Sequence, residues 1–163
     1  MIIEALYFAL PVYFANMAPV FFKKLNFLSK PINNKLFGSH KTYGGFIFGI
    51  LTAILVTFMQ YKLNLSINLL NYSNFLLIGF LFGFGALFGD LVKSFFKRRI
   101  GIKPGKPWIP FDQLDFIVGG LLFISLVYVP EFEIILTLLV LTPIGHILIN
   151  HIGYYLRVRE VKL

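Results

Sequence analysis

The stretch Phe75-Leu76-Leu77-Ile78-Gly79-Phe80-Leu81-Phe82-Gly83-Phe84-Gly85-Ala86-Leu87-Phe88-Gly89-Asp90-Leu91-Val92 decides the architecture, because in all this length the only charge is Asp90. A lipid bilayer offers no partner for an exposed backbone N–H or C=O, so a chain crosses it as a helix of about 20 mostly apolar residues. The remainder agrees: of 163 residues, 58% are hydrophobic, 18% aromatic and only 13% charged, and the mean hydropathy is +0.80. A soluble domain carries about 25% charged residues. A water-soluble globule, a disordered chain and a coiled coil are therefore excluded. The absence of cysteine removes thiolate metal centres and disulfide scaffolds.

Four further apolar runs cover 2–22, 43–61, 111–129 and 132–156, the last with Pro143 as a kink site. The expected fold is an all-α membrane protein, a single integral-membrane domain over 1–163 with five transmembrane helices at 2–22, 43–61, 75–92, 111–129 and 132–156. The first run lacks a basic start and a small-residue exit, so it reads as a retained span. Between and after the spans the basic residues number five, one, six, none and three. By the positive-inside rule the N-terminus is outside, the C-terminus inside, and the two basic loops are cytoplasmic. The net charge of +8 is thus mostly a topology signal and not a sign of nucleic-acid binding. Residues 63–70 alternate apolar with polar and are expected along the outer interface.

Glycines at helical spacing, Gly45 and Gly49, Gly79 and Gly83, Gly85 and Gly89, predict close helix seams. The chemistry is carried by the acids. Asp90, Asp112 and Asp115 lie at the membrane edges of one cytoplasmic loop, and a carboxylate inside a span costs roughly 2.5–3.5 kcal/mol unless it faces protein, water or a cation. If the third helix continues past Val92, Asp90, Lys93, Ser94 and Lys97 share one face. Asp112 and Asp115 share another at the start of the fourth, where the helix dipole also favours acids. Hard oxygen donors with basic residues nearby favour Mg2+ over zinc and point to nucleotide or polyphosphate chemistry. Gly38-Ser39-His40-Lys41-Thr42-Tyr43-Gly44-Gly45 reads either as an anion cradle of backbone amides or as a capped helix start. Asn16, between Pro11 and Pro19, lines the pocket or satisfies freed backbone. His146, Asn150 and Tyr154 either close the site or form an interhelical seam.

Ser94-Phe95-Phe96-Lys97-Arg98, Lys106-Pro107, Ile109-Pro110 and Asp112-Gln113-Leu114-Asp115, with Gly89-Asp90 and Lys41-Thr42, together resemble the signature of the CDP-diacylglycerol synthases: Ser-x-x-Lys-Arg, a variable loop, Pro-x-His-Gly-Gly and Asp-Arg-x-Asp. Phe111 stands where the bacterial enzymes have His-Gly-Gly, Gln113 replaces the arginine, and the chain is far shorter. With the Pro11…Ala15-Asn16…Pro19 segment, these departures are similar to the archaeal branch, the CDP-archaeol synthases. The resemblance implies that CTP and a lipid phosphate, 2,3-di-O-geranylgeranylglycerol 1-phosphate in that branch, give a CDP-lipid and pyrophosphate in phospholipid biosynthesis at the cell membrane, with the active site on the cytoplasmic side.

By the same resemblance Asp90, Asp112 and Asp115 arrange Mg2+ and act catalytically with Lys97. Arg98, Lys106, Lys41, Thr42, Ser94 and Asn16 bind substrate. Alternatives are the same reaction on phosphatidic acid, or a small ion-coupled transporter using Asp90. A prenyl- or phospho-alcohol transferase lacks its second acidic motif here, and a purely structural subunit does not explain the acids. A homodimer is compatible with the sequence.

Overall fold

The computed structural model describes residues 1–22, 28–103 and 106–155, with side chains through Leu148. The protein is helical: α1 (Ile2–Phe22), the single turn α2 (Asn34–Phe37), α3 (Tyr43–Leu63), α4 (Phe75–Arg99), α5 (Phe111–Ile124) and α6 (Phe132–Tyr155), with a 3-10 turn at Tyr72–Asn74 leading into α4. Among the described residues there is no strand, and extended pairing is limited to an isolated bridge between Pro31 and Thr42. The helices at Ile2–Phe22 and Tyr43–Leu63 and the stretch Tyr72–Arg99 are long and apolar enough to cross a membrane; α6 is apolar over the shorter stretch Phe132–Leu148. Large apolar side chains such as Val20, Leu51, Leu76, Leu122 and Val140 face outward around the bundle. An apolar exterior over an apolar core identifies lipid as the solvent of a membrane protein.

Two helix ends differ from the sequence expectation. The apolar run of the third span stops at Val92, yet α4 continues to Arg99. Lys97, Arg98 and Arg99 complement the negative end of the helix dipole there. Gly101 then closes the helix at φ +79°, its N–H donating to the Arg98 carbonyl while the Ile102 N–H donates to the Lys97 carbonyl, a Schellman ending. Conversely, helix in the stretch expected at 111–129 ends at Ile124. Ser125 turns its hydroxyl back onto the Leu122 carbonyl at 2.6 Å, and Leu126 and Val127 donate three residues back, winding the chain into turns before Pro130. Residues 63–70 end α3 and then form turns, with Asn64 left-handed at φ 40°.

α4 is the centre of the bundle, packed most extensively on α5 and α3 and also touching α1. Its glycines lie at these contacts. Gly79 meets Ile54 and Gly83 meets Ile50 and Ala53 on α3, while Gly85 and Gly89 meet Gly119 on α5. At the α4–α5 crossing the approach is backbone to backbone. A Cβ on Gly85 would stand 2.5 Å from the Gly119 carbonyl oxygen, and one on Gly89 would run into the carbonyl of Asp115. This crossing sets the face of α4 that α5 sees, and so brings the polar end of α4 against the acidic start of α5.

Gly119→Leu is therefore expected to force α4 and α5 apart and to destabilise the bundle by about 3 kcal/mol, at the upper end for overpacking. Gly145→Ala, where a Cβ meets nothing within 4 Å, is expected to be neutral or stabilising by up to about 1 kcal/mol through helix propensity. Thermal melts of the two variants in detergent check the contrast.

Candidate active site

A cavity of about 970 Å³ opens where α1, the segment before α3, α4, α5 and α6 meet. Its polar wall includes Asn16 from α1, Lys41 and Thr42, Asp90 and Lys93 from α4, Asp112 and Asp115 from α5, and Thr142 and His146 from α6. Met17, Val20, Leu87 and Leu91 make an apolar flank. Tyr13 and Thr142 share a hydrogen bond of 2.8 Å that ties α1 to α6 beside it.

The two acidic groups do converge, and the group between them is an ammonium. Lys93 Nζ lies 3.1 Å from Asp90 Oδ1, 2.9 Å from Asp112 Oδ1 and 2.9 Å from Asp115 Oδ2. Asp90 also pairs through Oδ2 with Lys41, which reaches across from the α3 side. Lys97 Nζ holds both Asp112 oxygens, at 2.9 and 2.8 Å, and the Lys106 carbonyl at 2.6 Å. The Trp108 N–H donates to Asp112 Oδ2, and the Phe116 N–H donates to Asp115 Oδ1 at 2.8 Å. Three carboxylates and three ammonium groups thus form one continuous network. The Asp115 side chain is only 5% exposed. Removing one partner from such a network costs far more than an exposed ion pair is worth, because it strands a buried charge.

The other expected residues fall into two groups. Asn16, Lys41 and Thr42 line the cavity. Ser94, Lys97, Arg98 and Lys106 stand outside its lining. Ser94 and Lys97 are buried, and Lys106 is exposed and engages through its carbonyl. Arg98 is half-buried, and among the described residues its Nε and Nη1 have no hydrogen-bond partner, unmet donors that an anion would satisfy. Of the two readings of the segment before α3, the capped helix start is the one formed from Tyr43 onward, where the backbone amides are already bonded. The Tyr43 N–H goes to the Lys30 carbonyl, that of Gly44 to Leu28, that of Gly45 to Thr42 Oγ1 and that of Phe46 to the Thr42 carbonyl. Thr42 is the N-cap of α3. Of the stripe on α6, His146 lines the cavity, while the side chains of Asn150 and Tyr154 lie outside the described residues, as does the tail with its three basic residues.

Sequence reading placed Lys93 on the shared face and counted it among the basic residues near phosphate, without a role of its own. The signal was its position three residues after Asp90, inside an acidic–basic face on a helix whose register the glycine seam determines.

The donor set suits Mg2+, which takes oxygen ligands, keeps several waters and shares one or two carboxylates with substrate phosphates. Among the described residues no three acidic or histidine groups form a ready-made metal cage, and a magnesium site of that kind needs none.

The whole chain, residues 1–163, matches the sequence model of the CarS-like family, CDP-archaeol synthase. It is 36% identical to the CDP-archaeol synthase of Thermofilum pendens over 97% of this chain and 79% of that protein. It is 35% identical to that of Methanocaldococcus jannaschii over 99% of this chain and 97% of that protein. Its fold is similar to a solved structure of an intramembrane enzyme for archaeal membrane lipids biosynthesis, with a TM-score of 0.77 and 26% identity, covering 92% of this chain and 94% of that one.

Lys97→Met is expected to destabilise the protein by about 3 kcal/mol. Adding Asp112→Asn to it is expected to recover at least about 1 kcal/mol as a coupling energy. Melts followed by the fluorescence of Trp108, the single tryptophan, which packs on Phe111 at 4.4 Å beside the network, give both values; strictly additive losses would contradict the pairing.

Proposed function

The chain belongs to the CDP-archaeol synthase family, and we propose that it is a Mg2+-dependent cytidylyltransferase joining CTP to an isoprenoid ether-lipid phosphate, 2,3-di-O-geranylgeranylglycerol 1-phosphate, with release of pyrophosphate. The observation that carries this reading is a single cavity with ion-paired aspartates and lysines on one wall and an apolar flank on another. That combination suits an amphiphile whose phosphate must meet a nucleotide. The lipid phosphate is already an anionic nucleophile, so no serine or cysteine device is required. Its oxygen attacks the α-phosphorus of CTP, forming one P–O bond. The bond from the α-phosphorus to the bridging oxygen breaks, and pyrophosphate departs with that electron pair.

The barrier is then one of positioning and charge. Asp90, Asp112 and Asp115 would arrange Mg2+, Asp90 and Asp115 as its direct ligands and Asp112 through the lysines it shares with them; when bound, the ion neutralises triphosphate charge and stabilises the departing pyrophosphate. Lys41 on the cavity wall would face phosphate once released from Asp90. Arg98, with its unmet donors, would receive triphosphate or lipid phosphate together with Lys106, while Lys97, whose ammonium is taken up by both Asp112 oxygens and the Lys106 carbonyl, would act by positioning Asp112. Thr42, Ser94 and Asn16 would contribute polar contacts around the substrates. The apolar flank would take the start of the lipid chains.

The same proposal includes a cell-membrane protein of one domain over 1–163 with five spans, its N-terminus outside and the active site on the cytoplasmic side, supported by the alternation of basic loops. A homodimer is part of it without being required by the chemistry. An ion-coupled transporter built on Asp90 is disfavoured, since that carboxylate is paired to both Lys41 and Lys93.

Purified protein with Mg2+, labelled CTP and either the archaeal ether-lipid phosphate or phosphatidic acid is expected to yield CDP-lipid from the ether lipid. Product from phosphatidic acid alone would reassign the substrate, and absence of product from either would refute the reaction. Asp115→Asn is expected to lower turnover at least about 100-fold, roughly the scale of losing one transition-state electrostatic contact. Chelation by EDTA is expected to abolish turnover and Mg2+ to restore it.

A further inference from the structure

Lys93 Nζ has a carboxylate oxygen within 3.1 Å from each of Asp90, Asp112 and Asp115, one contact for each of its three N–H groups. An ammonium has three donors and no acceptor, so in this arrangement none is left for a phosphate. That separates Lys93 from a substrate clamp. The ion pairs around it balance among the described residues: Asp90, Asp112 and Asp115 face Lys41, Lys93 and Lys97. Without Lys93, three largely buried carboxylates would be left with two ammonium groups, both toward the edges of the cluster. Like charges at this spacing repel by several kcal/mol in a poorly solvated site.

We propose that Lys93 is a resident cation of the site: it keeps the aspartate triad assembled before any metal arrives and restricts the triad to one divalent ion where the bare triad would take two. The proposal deepens the nucleotidyl-transfer reading and rests on it. The hydrogen-bond census supports it. Both Asp112 oxygens are shared among Lys93, Lys97 and the Trp108 N–H. Among the described residues each oxygen of Asp90 and Asp115 has a single partner, so these two carboxylates retain lone pairs for a divalent ion while Lys93 remains where it is. Lys93 is accordingly a positioning residue, acting on substrate only through the acids it holds.

The test uses the full chain in detergent, stripped with EDTA, and reads metal binding and stability without substrate. Wild type and Lys93→Arg are expected to bind one Mn2+ per chain by electron paramagnetic resonance, and Lys93→Met to bind two. In EDTA, Lys93→Met is expected to melt on the order of 10 °C below wild type, and Mg2+ to raise its Tm more than that of wild type. If Lys93→Met alone does not fold, the double variant Lys93→Met/Asp115→Asn, which restores the charge balance, is expected to fold and to melt close to wild type in EDTA.

Two Mn2+ bound by wild type, or unchanged stoichiometry and an unchanged EDTA melt in Lys93→Met, would overturn the proposal. So would a double variant that fails to fold alongside the single one. CTP turnover measured on the same wild-type preparation keeps the two readings apart. One Mn2+ bound with no CDP-lipid formed counts against the reaction alone, whereas turnover with two Mn2+ bound counts against Lys93 alone.

Discussion

Everything at the polar end of this bundle depends on charge neutralisation between α4 and α5. Lys93 on one helix is held by Asp112 and Asp115 on the other and by Asp90 on its own, and Lys97 repeats the connection one turn further on. Buried as they are, none of these groups would be tolerated singly, because an uncompensated buried charge costs several kcal/mol. Together they make a rigid wall for the cavity. The wall is rigid because the backbones beneath it touch: Gly85, Gly89 and Gly119 remove the side chains that would otherwise separate the helices. Packing and chemistry are therefore one constraint here. The same small residues that let the helices meet in lipid also bring the carboxylates within reach of one ammonium.

Much of this was legible in the sequence. The apolar runs marked the long helices, because lipid permits little else, and the acids at the borders of one loop marked the polar end. The seam glycines on α4 were visible as a pattern. What the pattern lacked was the partner: Gly119 sits in an ordinary-looking Gly-Gly pair, and only its contact with Gly85 and Gly89 establishes the register that aims Asp90 at Asp115.

The less legible features are those settled by competition for hydrogen bonds. The glycine-rich start of α3 has the composition of an anion cradle, but carbonyls of Lys30 and Leu28, distant in pattern though near in chain, take the amides of Tyr43 and Gly44. α5 stops at Ile124 because a serine hydroxyl and two three-residue-back donors wind the chain down, and apolar residues beyond it disguise that stop. Lys93 was visible as a neighbour of Asp90, but a lysine three residues from an aspartate on a helix is ordinarily a solvated pair. Its burial under a second helix changes its meaning.

The length of α5 has a mechanical consequence. Fourteen residues rise about 21 Å, against a hydrocarbon thickness of about 30 Å. Lipid beside the outward-facing Val118 and Leu122 meets a wall shorter than itself. Such mismatch costs fractions of a kcal/mol per Å and is relieved when the bilayer dimples. A dimple along this helix shortens the climb of a headgroup in the adjacent leaflet to the aspartates at its start, so an abbreviated helix would act as a ramp for a molecule that never leaves its leaflet.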